Sequence, residues 1–338
     1  MLFTIEKYVC RLELSLLRRS FFHSPVWNTN DQEDKLEFNN DSKLHQGNRK
    51  LLKIAILGLP NVGKSTLVNK LMLRTVCPTS SKVHTTMHKA EAIYTEGDTQ
   101  IVFMDTPGLA TSKEMKTYNL LKTFKTDPEI SVNEADIIGI MQDVTNVYTR
   151  HKFDNFFLDF LKTKRDDAQL LLILNKVDRL KKKAALLDLV RILTQNEKYP
   201  KFDDIFMVSA LTGDGVNDLR NYLIDSAKIK DWKYEKECYT DQPSEKLIEQ
   251  TVRARLLDIL PFEMPYNVNV KLDDINFRND GTITTIVTLD CPNKRYVTIL
   301  LKGKAFKIKC LAFHVEKELR HAFRAPVFVH LNVQCTKA

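Results

Sequence analysis

The chain has 338 residues, 43% of them hydrophobic and 28% charged, which suits about two domains of a folded rather than a disordered or fibrous protein. No run of 18 apolar residues occurs, so a membrane-spanning helix is not expected; the six cysteines, at 10, 77, 238, 291, 310 and 335, form no C-x-x-C pair, which argues against a zinc site or disulfide framework and for a reducing compartment. The net charge of +8 is concentrated at the end of the chain, where residues 294–338 hold ten Lys or Arg against Glu316 and Glu318, so the partner expected there is a polyanion, either nucleic acid or an anionic membrane.

Residues 1–28 interleave Lys7, Arg11, Arg18 and Arg19 with Leu12, Leu14, Leu16, Leu17, Phe21 and Phe22. This is the amphipathic, Arg-bearing character of an organelle transit peptide, although Glu6 and Glu13 are atypical of one. Residues 28–48 are polar and rich in Asn, Asp and Gln, and read as a disordered linker.

The apolar run 51–57 then leads into Gly58-Leu59-Pro60-Asn61-Val62-Gly63-Lys64-Ser65-Thr66, and an apolar helical stretch follows. Strand, G-x-x-x-x-G-K-S loop and helix in that order predict a phosphate cradle of backbone N–H groups at the positive end of a helix. Lys64 would reach the β- and γ-phosphates and the Ser65 hydroxyl would bind Mg²⁺. The polar loop between 77 and 90 is the expected first switch. Its adjacent Thr85 and Thr86 both offer a hydroxyl for Mg²⁺ when a γ-phosphate is present, with Thr86 preferred.

Three further strands are expected to end in short motifs. Gln100 to Met104 leads into Asp105-Thr106-Pro107-Gly108, where the carboxylate can hold Mg²⁺ through water and the Gly108 N–H can meet the γ-phosphate and sense its loss. Leu170 to Leu174 leads into Asn175-Lys176-Val177-Asp178. A carboxylate at Asp178 accepts two hydrogen bonds from guanine N1 and N2, a donor pair that adenine lacks. Asn175 would brace the loops, and the Lys176 stem would cover the base. Ile205 to Val208 leads into Ser209-Ala210, whose Ala210 N–H would meet guanine O6. Four motifs at strand ends, where ligands of open parallel sheets bind, predict a GTP site, and the combination resembles GTPases of the translation-factor class. The residue after Gly108 is Leu109, where Ras-like enzymes carry the Gln that orients the attacking water. Hydrolysis is therefore expected to be slow or to use another device.

Residues 231–243 read as a linker. Beyond it, Ser244 is a plausible N-cap for a helix ending before Pro261, with apolar positions at helical spacing from Leu247 to Leu260. Two alternating strands, 266–272 and 282–289, are expected on either side of the turn signal Asn279-Asp280-Gly281. A short run 296–301, a basic stretch 302–309, an amphipathic helix from about 311 to 323 and a last strand 327–333 complete the order.

The order α-β-β-α-α-β resembles a type II KH domain, a holder of single-stranded nucleic acid. With the nucleotide motifs in front, residues 50–335 resemble the Era family of ribosome-assembly GTPases. The more particular marks are Thr85-Thr86, Tyr94-Thr95-Glu96-Gly97, Glu263-Met264-Pro265-Tyr266 and Ala325-Pro326-Val327. The resemblance implies an α/β P-loop GTPase domain (49–230), a mostly parallel sheet with helices on both faces. After the linker a smaller α+β type II KH-like domain (244–335) would follow. It implies GTP and Mg²⁺ as ligands, and small-subunit ribosomal RNA near its 3′ end and the assembling small subunit as partners, with GTP state controlling RNA binding. Monomeric behaviour is expected. Related GTPases use the residue equivalent to Asn61 to bind K⁺ beside the phosphates, so Asn61 joins Lys64 and Gly108 as a catalytic candidate.

KH domains clamp the RNA backbone with a G-x-x-G loop. Alignment on Lys307-Ile308-Lys309 places that loop at Lys302-Gly303-Lys304-Ala305, which lacks both glycines. RNA contact would then lean on Lys302, Gly303, Lys304, Lys307 and Lys309. The transit-like N-terminus suggests a mitochondrial matrix form, with a cytoplasmic one as the alternative. Two other functions stay open: a membrane-associated GTPase, whose basic C-terminus touches the inner membrane peripherally, and a non-hydrolysing RNA-binding scaffold.

Overall fold

The apolar run before the glycine loop forms β1 (Lys50–Leu57) in a computed structural model that describes residues 48–80, 82, 90–105, 123–153, 158, 161, 164–180 and 184–335. The transit-like segment, Thr85, Thr86 and the stretch Thr106 to Leu109 lie outside the described residues. After β1 come α1 (Lys64–Met72), β2 (Ala90–Glu96), β3 (Thr99–Asp105), α2 (Thr123–Glu134), β4 (Ile137–Asp143), β5 (Gln169–Asn175), α3 (Ala184–Thr194), β6 (Asp204–Val208), α4 (Val216–Asp225) and the short β7 (Lys228–Ile229). The sheet order is β2-β3-β1-β4-β5-β6, with β7 against the first residues of β1. Strands β1, β3, β4, β5 and β6 run parallel, and β2 and β7 antiparallel.

All residues of β3 and β4 are buried, as near-continuous apolar strands covered on both faces must be. The period-two alternation of β1 separates two cores. Leu52, Ile54 and Ile56 pack with Leu67, Val68 and Leu71 of α1 and Leu219 and Leu223 of α4. Ala55 and Leu57 pack with Val132 of α2 and Leu186, Leu189 and Leu193 of α3. Parallel strands with crossover helices leave every strand's C-terminal end on one edge, where the loops collect.

The C-terminal module consists of α5 (Ser244–Ile259), β8 (Asn269–Phe277), β9 (Ile283–Cys291), α6 (Lys294–Phe323) and β10 (Val327–Cys335). Ser244 is the first residue of α5 and makes no capping bond; Pro243 holds the N-cap position. The first strand begins at Asn269 rather than 266, because Met264–Asn267 forms a 3-10 turn with Pro265 buried in it. The turn expected at 279–281 is present, with Gly281 at φ 77°. The sheet order is β10-β9-β8: β9 and β10 are parallel, β8 and β9 antiparallel with a bulge between Leu272 and Asp274. Val287 and Leu289 pack beneath Ile248, Val252 and Leu256 of α5 and Leu311, Val315 and Leu319 of α6. The apolar face of 311–323 is therefore core and not free to lie on a membrane.

The basic stretch 302–309 is not a separate loop. Helical structure runs from Lys294, capped by the Asn293 side chain on the Arg295 N–H (3.1 Å), to Phe323. Within it Gly303 (φ 68°) and Ala305 (φ 59°) take left-handed conformations. Only glycine does so without cost, so Ala305 carries strain and the helix bends there. Helix resumes well before 311 because Ile308 packs against the core.

Residues 231–243 are strapped to the nucleotide domain rather than loose. The amide of Gln100, inside β3, donates to Tyr234 O (2.9 Å) and accepts from the N–H groups of Lys233 and Tyr234 (3.0 Å each). Buried Glu91 accepts from Lys233 Nζ (2.6 Å) and Tyr234 OH (2.7 Å). Ile93 N donates to Tyr239 O (3.0 Å) along the β2 edge.

The segment after α1 also bridges the two modules. Asn69 of α1 donates to Cys77 O (2.7 Å) and accepts from the N–H groups of Val76 and Cys77 (2.9 Å each). From the other side, Arg74 Nε donates to Ala322 O and the Thr75 N–H donates to His321 Nδ1 (2.9 Å). Arg255 of α5 donates to Thr79 O while pairing with Asp258 (2.8 Å) and Glu318 (3.0 Å). Lys82 Nζ donates to Leu260 O (2.7 Å) and Phe262 O (3.0 Å).

Candidate guanine-nucleotide site

The loop after β1 is built for close approach. Gly63, at φ 104°, is the N-cap of α1, and a Cβ there would lie 2.5 Å from the Asn175 amide nitrogen. At Gly58 a Cβ would lie 2.6 Å from Met141 O. Both positions therefore exclude larger residues, and Asn61 between them is exposed at φ 61°. With no side chain capping α1, its first N–H groups point into the loop, the arrangement that receives phosphate oxygens.

Lys64 curls back over the same space. Its ammonium donates to Gly58 O (3.1 Å) and Leu59 O (3.2 Å). Burial lowers its pKa to about 8, with the Asp105 charge pushing the other way. Next to it, the Ser65 hydroxyl donates to Asp105 Oδ2 at 2.9 Å. A hydroxyl and a carboxylate meeting beside a buried lysine form an oxygen donor set suited to Mg²⁺ at a triphosphate. The Cys77 thiol is pushed well up by burial and by the Asp105 carboxylate, to which it hydrogen-bonds. Sequence reasoning missed this contact, and no motif around Cys77 signals it.

The end of β5 ties the loops together. Asn175 Nδ2 donates to Val62 O (2.7 Å), and Asn175 Oδ1 accepts from the Ala210 N–H (2.9 Å). One side chain thus holds the glycine loop against the loop after β6. The same bond occupies the Ala210 N–H, which the sequence assigns to guanine O6. Ser209 is fully buried beneath, its hydroxyl accepting from Thr212 N (3.2 Å). Lys176, at φ 68°, stretches across to donate to Asn61 O (2.8 Å) and pair with Asp143 (2.6 Å). Burial pushes the Asp143 carboxyl up, but hydrogen bonds from Lys176 and Thr145 outweigh it and hold it below the ordinary value. Asp143 was not singled out in the sequence; its signal is that β4, like β3, is an apolar strand ending in Asp.

Asp178 sits in a 3-10 turn (Val177–Arg179) with its carboxylate exposed and no protein partner among the described residues. Its neighbours Asn175 and Lys176 are held by hydrogen bonds, and Asp178 is left as an exposed acceptor. Thr66, Leu59, Pro60 and Val62 complete the loop wall, with Val62 buried in the core. The candidate ligands Gly58 to Thr66, Asp105, Asn175 to Asp178 and Ser209 to Ala210 all gather at the C-terminal ends of β1, β3, β5 and β6. Lys302, Gly303, Lys307 and Lys309 belong to α6 and are not part of this cluster.

The lowered Lys64 pKa sets a pH dependence. A phosphate anion favours the charged amine, so above pH 8 binding must take up a proton. Affinity for GDP is expected to be flat below about pH 8 and to fall up to tenfold per pH unit above it. For the ligand-free chain, the cost of holding Lys64 charged is present below the folded pKa of about 8 and lifts between 8 and 10.5. Titration with a fluorescent GDP analogue from pH 7 to 9 checks the first expectation, and a flat profile refutes it.

A family model described as 50S ribosome-binding GTPase matches residues 53–176. The chain is 32% identical to the mitochondrial GTPase Era of Danio rerio over 342 aligned residues, covering 86% of this chain and 76% of that protein. It is also 32% identical to the GTPase Era of Brucella suis, covering 83% of this chain and 86% of that protein. Among solved structures, an Aquifex aeolicus Era variant bound to GDP and AlF4⁻ aligns at TM-score 0.71 and 25% identity, covering 85% of this chain and 94% of that one. An Era in complex with MgGDPNP and nucleotides 1506–1542 of 16S ribosomal RNA aligns at TM-score 0.72 and 24% identity over the same shares, a likeness of fold.

Proposed function

Because this chain belongs to the Era family of GTPases, we propose that it couples GTP hydrolysis to the binding and release of ribosomal RNA. It is a GTPase, and its nucleotide site accommodates GTP and Mg²⁺. Asp178 would read guanine, the backbone of Gly58 to Thr66 would hold the phosphates, and Lys64 would swing from its loop carbonyls onto the β- and γ-phosphates. Ser65 and Asp105, with Thr86 from the switch, would hold Mg²⁺, which when bound neutralises charge on the phosphates. Gly108 would sense the γ-phosphate. Asn61 would hold K⁺, compensating for Leu109; equal turnover in potassium and sodium would exclude that role.

The observation that carries the RNA reading is the bend in α6. Gly303 and Ala305 take left-handed conformations where KH domains place their clamp, and Lys302, Lys307 and Lys309 flank it. The Era complexed with 16S ribosomal RNA has the same fold. The bridge from residues 74–82 to α5 and α6 offers a path by which the switch beyond it would bias RNA binding. We place this activity in small-subunit assembly within mitochondria. The vertebrate relatives carry mitochondrial names, and residues 1–28 have transit-peptide character.

The test is crosslinking to RNA in cells followed by sequencing. Recovery of the 3′ end of small-subunit ribosomal RNA is expected, and its absence overturns the assignment. A Lys64→Ala chain that loses nucleotide but supports assembly normally would make the protein a scaffold instead.

A further inference from the structure

Beyond the bend, α6 buries Leu311, Val315 and Leu319 and turns another face to solvent. That face carries Phe306, Lys309, Phe313 and Lys317, all exposed. Phe306 is 67% and Phe313 62% exposed, and a solvated phenyl ring forfeits the gain of burial. Seven residues apart, the two rings stand on one side of the helix, about 10.5 Å apart along its axis. The ring of His314 braces Phe313 edge-on, with centroids 5.6 Å apart. Lys309 and Lys317 each follow a ring by three or four residues and have no ion-pair partner among the described residues. The two acids of this stretch are committed elsewhere: Glu316 to Arg320 (3.0 Å) and Glu318 to Arg255 (3.0 Å).

We propose that this face of α6 is a stacking track for single-stranded RNA, on which Phe306 and Phe313 each receive a base while Lys309 and Lys317 meet phosphates. It rests on the RNA-binding function above and extends that contact two to three turns beyond the bend. Alternating rings and cations are what a single strand offers in complement, since every base has a π-face and every linkage a charge. Two rings about 10.5 Å apart, roughly three times the ~3.4 Å rise per stacked base, cannot sandwich a single base, so each ring takes its own. A helix lying on lipid instead buries one contiguous apolar face, and the contiguous apolar face of α6 is already core. A protein interface would place few charges between its anchors.

The experiment uses the full chain and a single-stranded oligonucleotide copying the 3′ end of small-subunit ribosomal RNA. The indole introduced by Phe306→Trp or Phe313→Trp is expected to be quenched as RNA is added. Phe306→Ala and Phe313→Ala should each weaken binding about tenfold with the salt dependence unchanged. Lys317→Gln should instead reduce the slope of log K against log salt by about 0.7. Thermal unfolding of each variant confirms that it is folded. RNA binding at full affinity by the alanine variants, with unquenched indoles, overturns the track and leaves RNA binding at the bend intact. No RNA binding by the unaltered chain overturns the function itself. Quenching by cardiolipin vesicles, but not by RNA, overturns the track in favour of lipid.

Discussion

Asp178→Asn is expected to lower GTP affinity by about 10³–10⁴-fold and to confer binding of xanthosine triphosphate. A site built to hydrogen-bond a substrate group rejects the analogue lacking it by this order, because buried partners are left unpaired. The carboxylate accepts from both N1 and N2 of guanine. An Asn amide accepts from N1 but presents an N–H to the N2 amine, donor against donor. Xanthine carries oxygen at that position, so the same amide fits it. Asp178 is exposed and bonded to no protein group among the described residues, and the substitution should leave stability unchanged. That separates recognition from folding. Competition of both triphosphates against a fluorescent nucleotide measures the effect; undiminished GTP binding would remove Asp178 from the base site.

Arg255→Ala is expected to destabilise the chain by about 2–3 kcal/mol, below the usual cost of breaking a fully buried pair because the side chain retains some solvent contact. Three groups lose the Arg255 guanidinium at once, Thr79 O, Asp258 and Glu318, although Asp258 keeps the Ser80 hydroxyl. Burial already raises the Glu318 carboxyl above its ordinary value, with Arg255 the main opposing influence. A raised acid pKa means the folded chain binds more protons than the unfolded one. Its cost is absent below the ordinary value of 4.5 and grows as pH rises through the folded value. Removing Arg255 raises that value further, so the variant's deficit should shrink on acidification from pH 7 toward 5. Urea midpoints at the two pH values check this, and a deficit independent of pH would assign the loss to packing alone.

The nucleotide domain was legible in the sequence because parallel strands covered on both faces must be apolar runs, and their ends must carry the ligands. Asp105 and Asn175 fall on the last residues of β3 and β5, as the motifs require. Long-range partners were not legible. The N-K-x-D motif announces that Asn175 braces the loops, but not that its partners are Val62 and Ala210, and nothing announces that Lys176 is paired with Asp143. The strap at 231–243 read as linker because its charge and Pro suggest solvent. Its order comes from Gln100 and Glu91, more than 130 residues earlier. In the C-terminal module the three strands and the first helix were legible, but the two helices expected before the last strand are one, and the first strand starts later than expected. Glycine and lysines at 302–309 suggested a loop, yet Ile308 supplies enough core contact to carry the helix through. Pro265 favoured a turn where alternation alone suggested a strand.

The parallel pairing of β9 and β10 bears on the order in which the chain can be completed as it leaves the ribosome. The strands of the central sheet are complete at β7, Lys228–Ile229, and the strap that satisfies Gln100 and Glu91 is complete by Asp241, so the sheet can close while more than a quarter of the chain is still unmade. The second sheet cannot. Its middle strand, β9, keeps an open edge until β10 arrives after a 30-residue helix, and Val327 and Val329 of β10 belong to its core. A nascent chain arrested between 291 and 327 would present a finished GTPase fused to a sticky, half-built sheet. A frameshift late in the reading frame is therefore expected to leave a folded nucleotide domain carrying the unpaired edge of β9, whereas an early one leaves neither sheet.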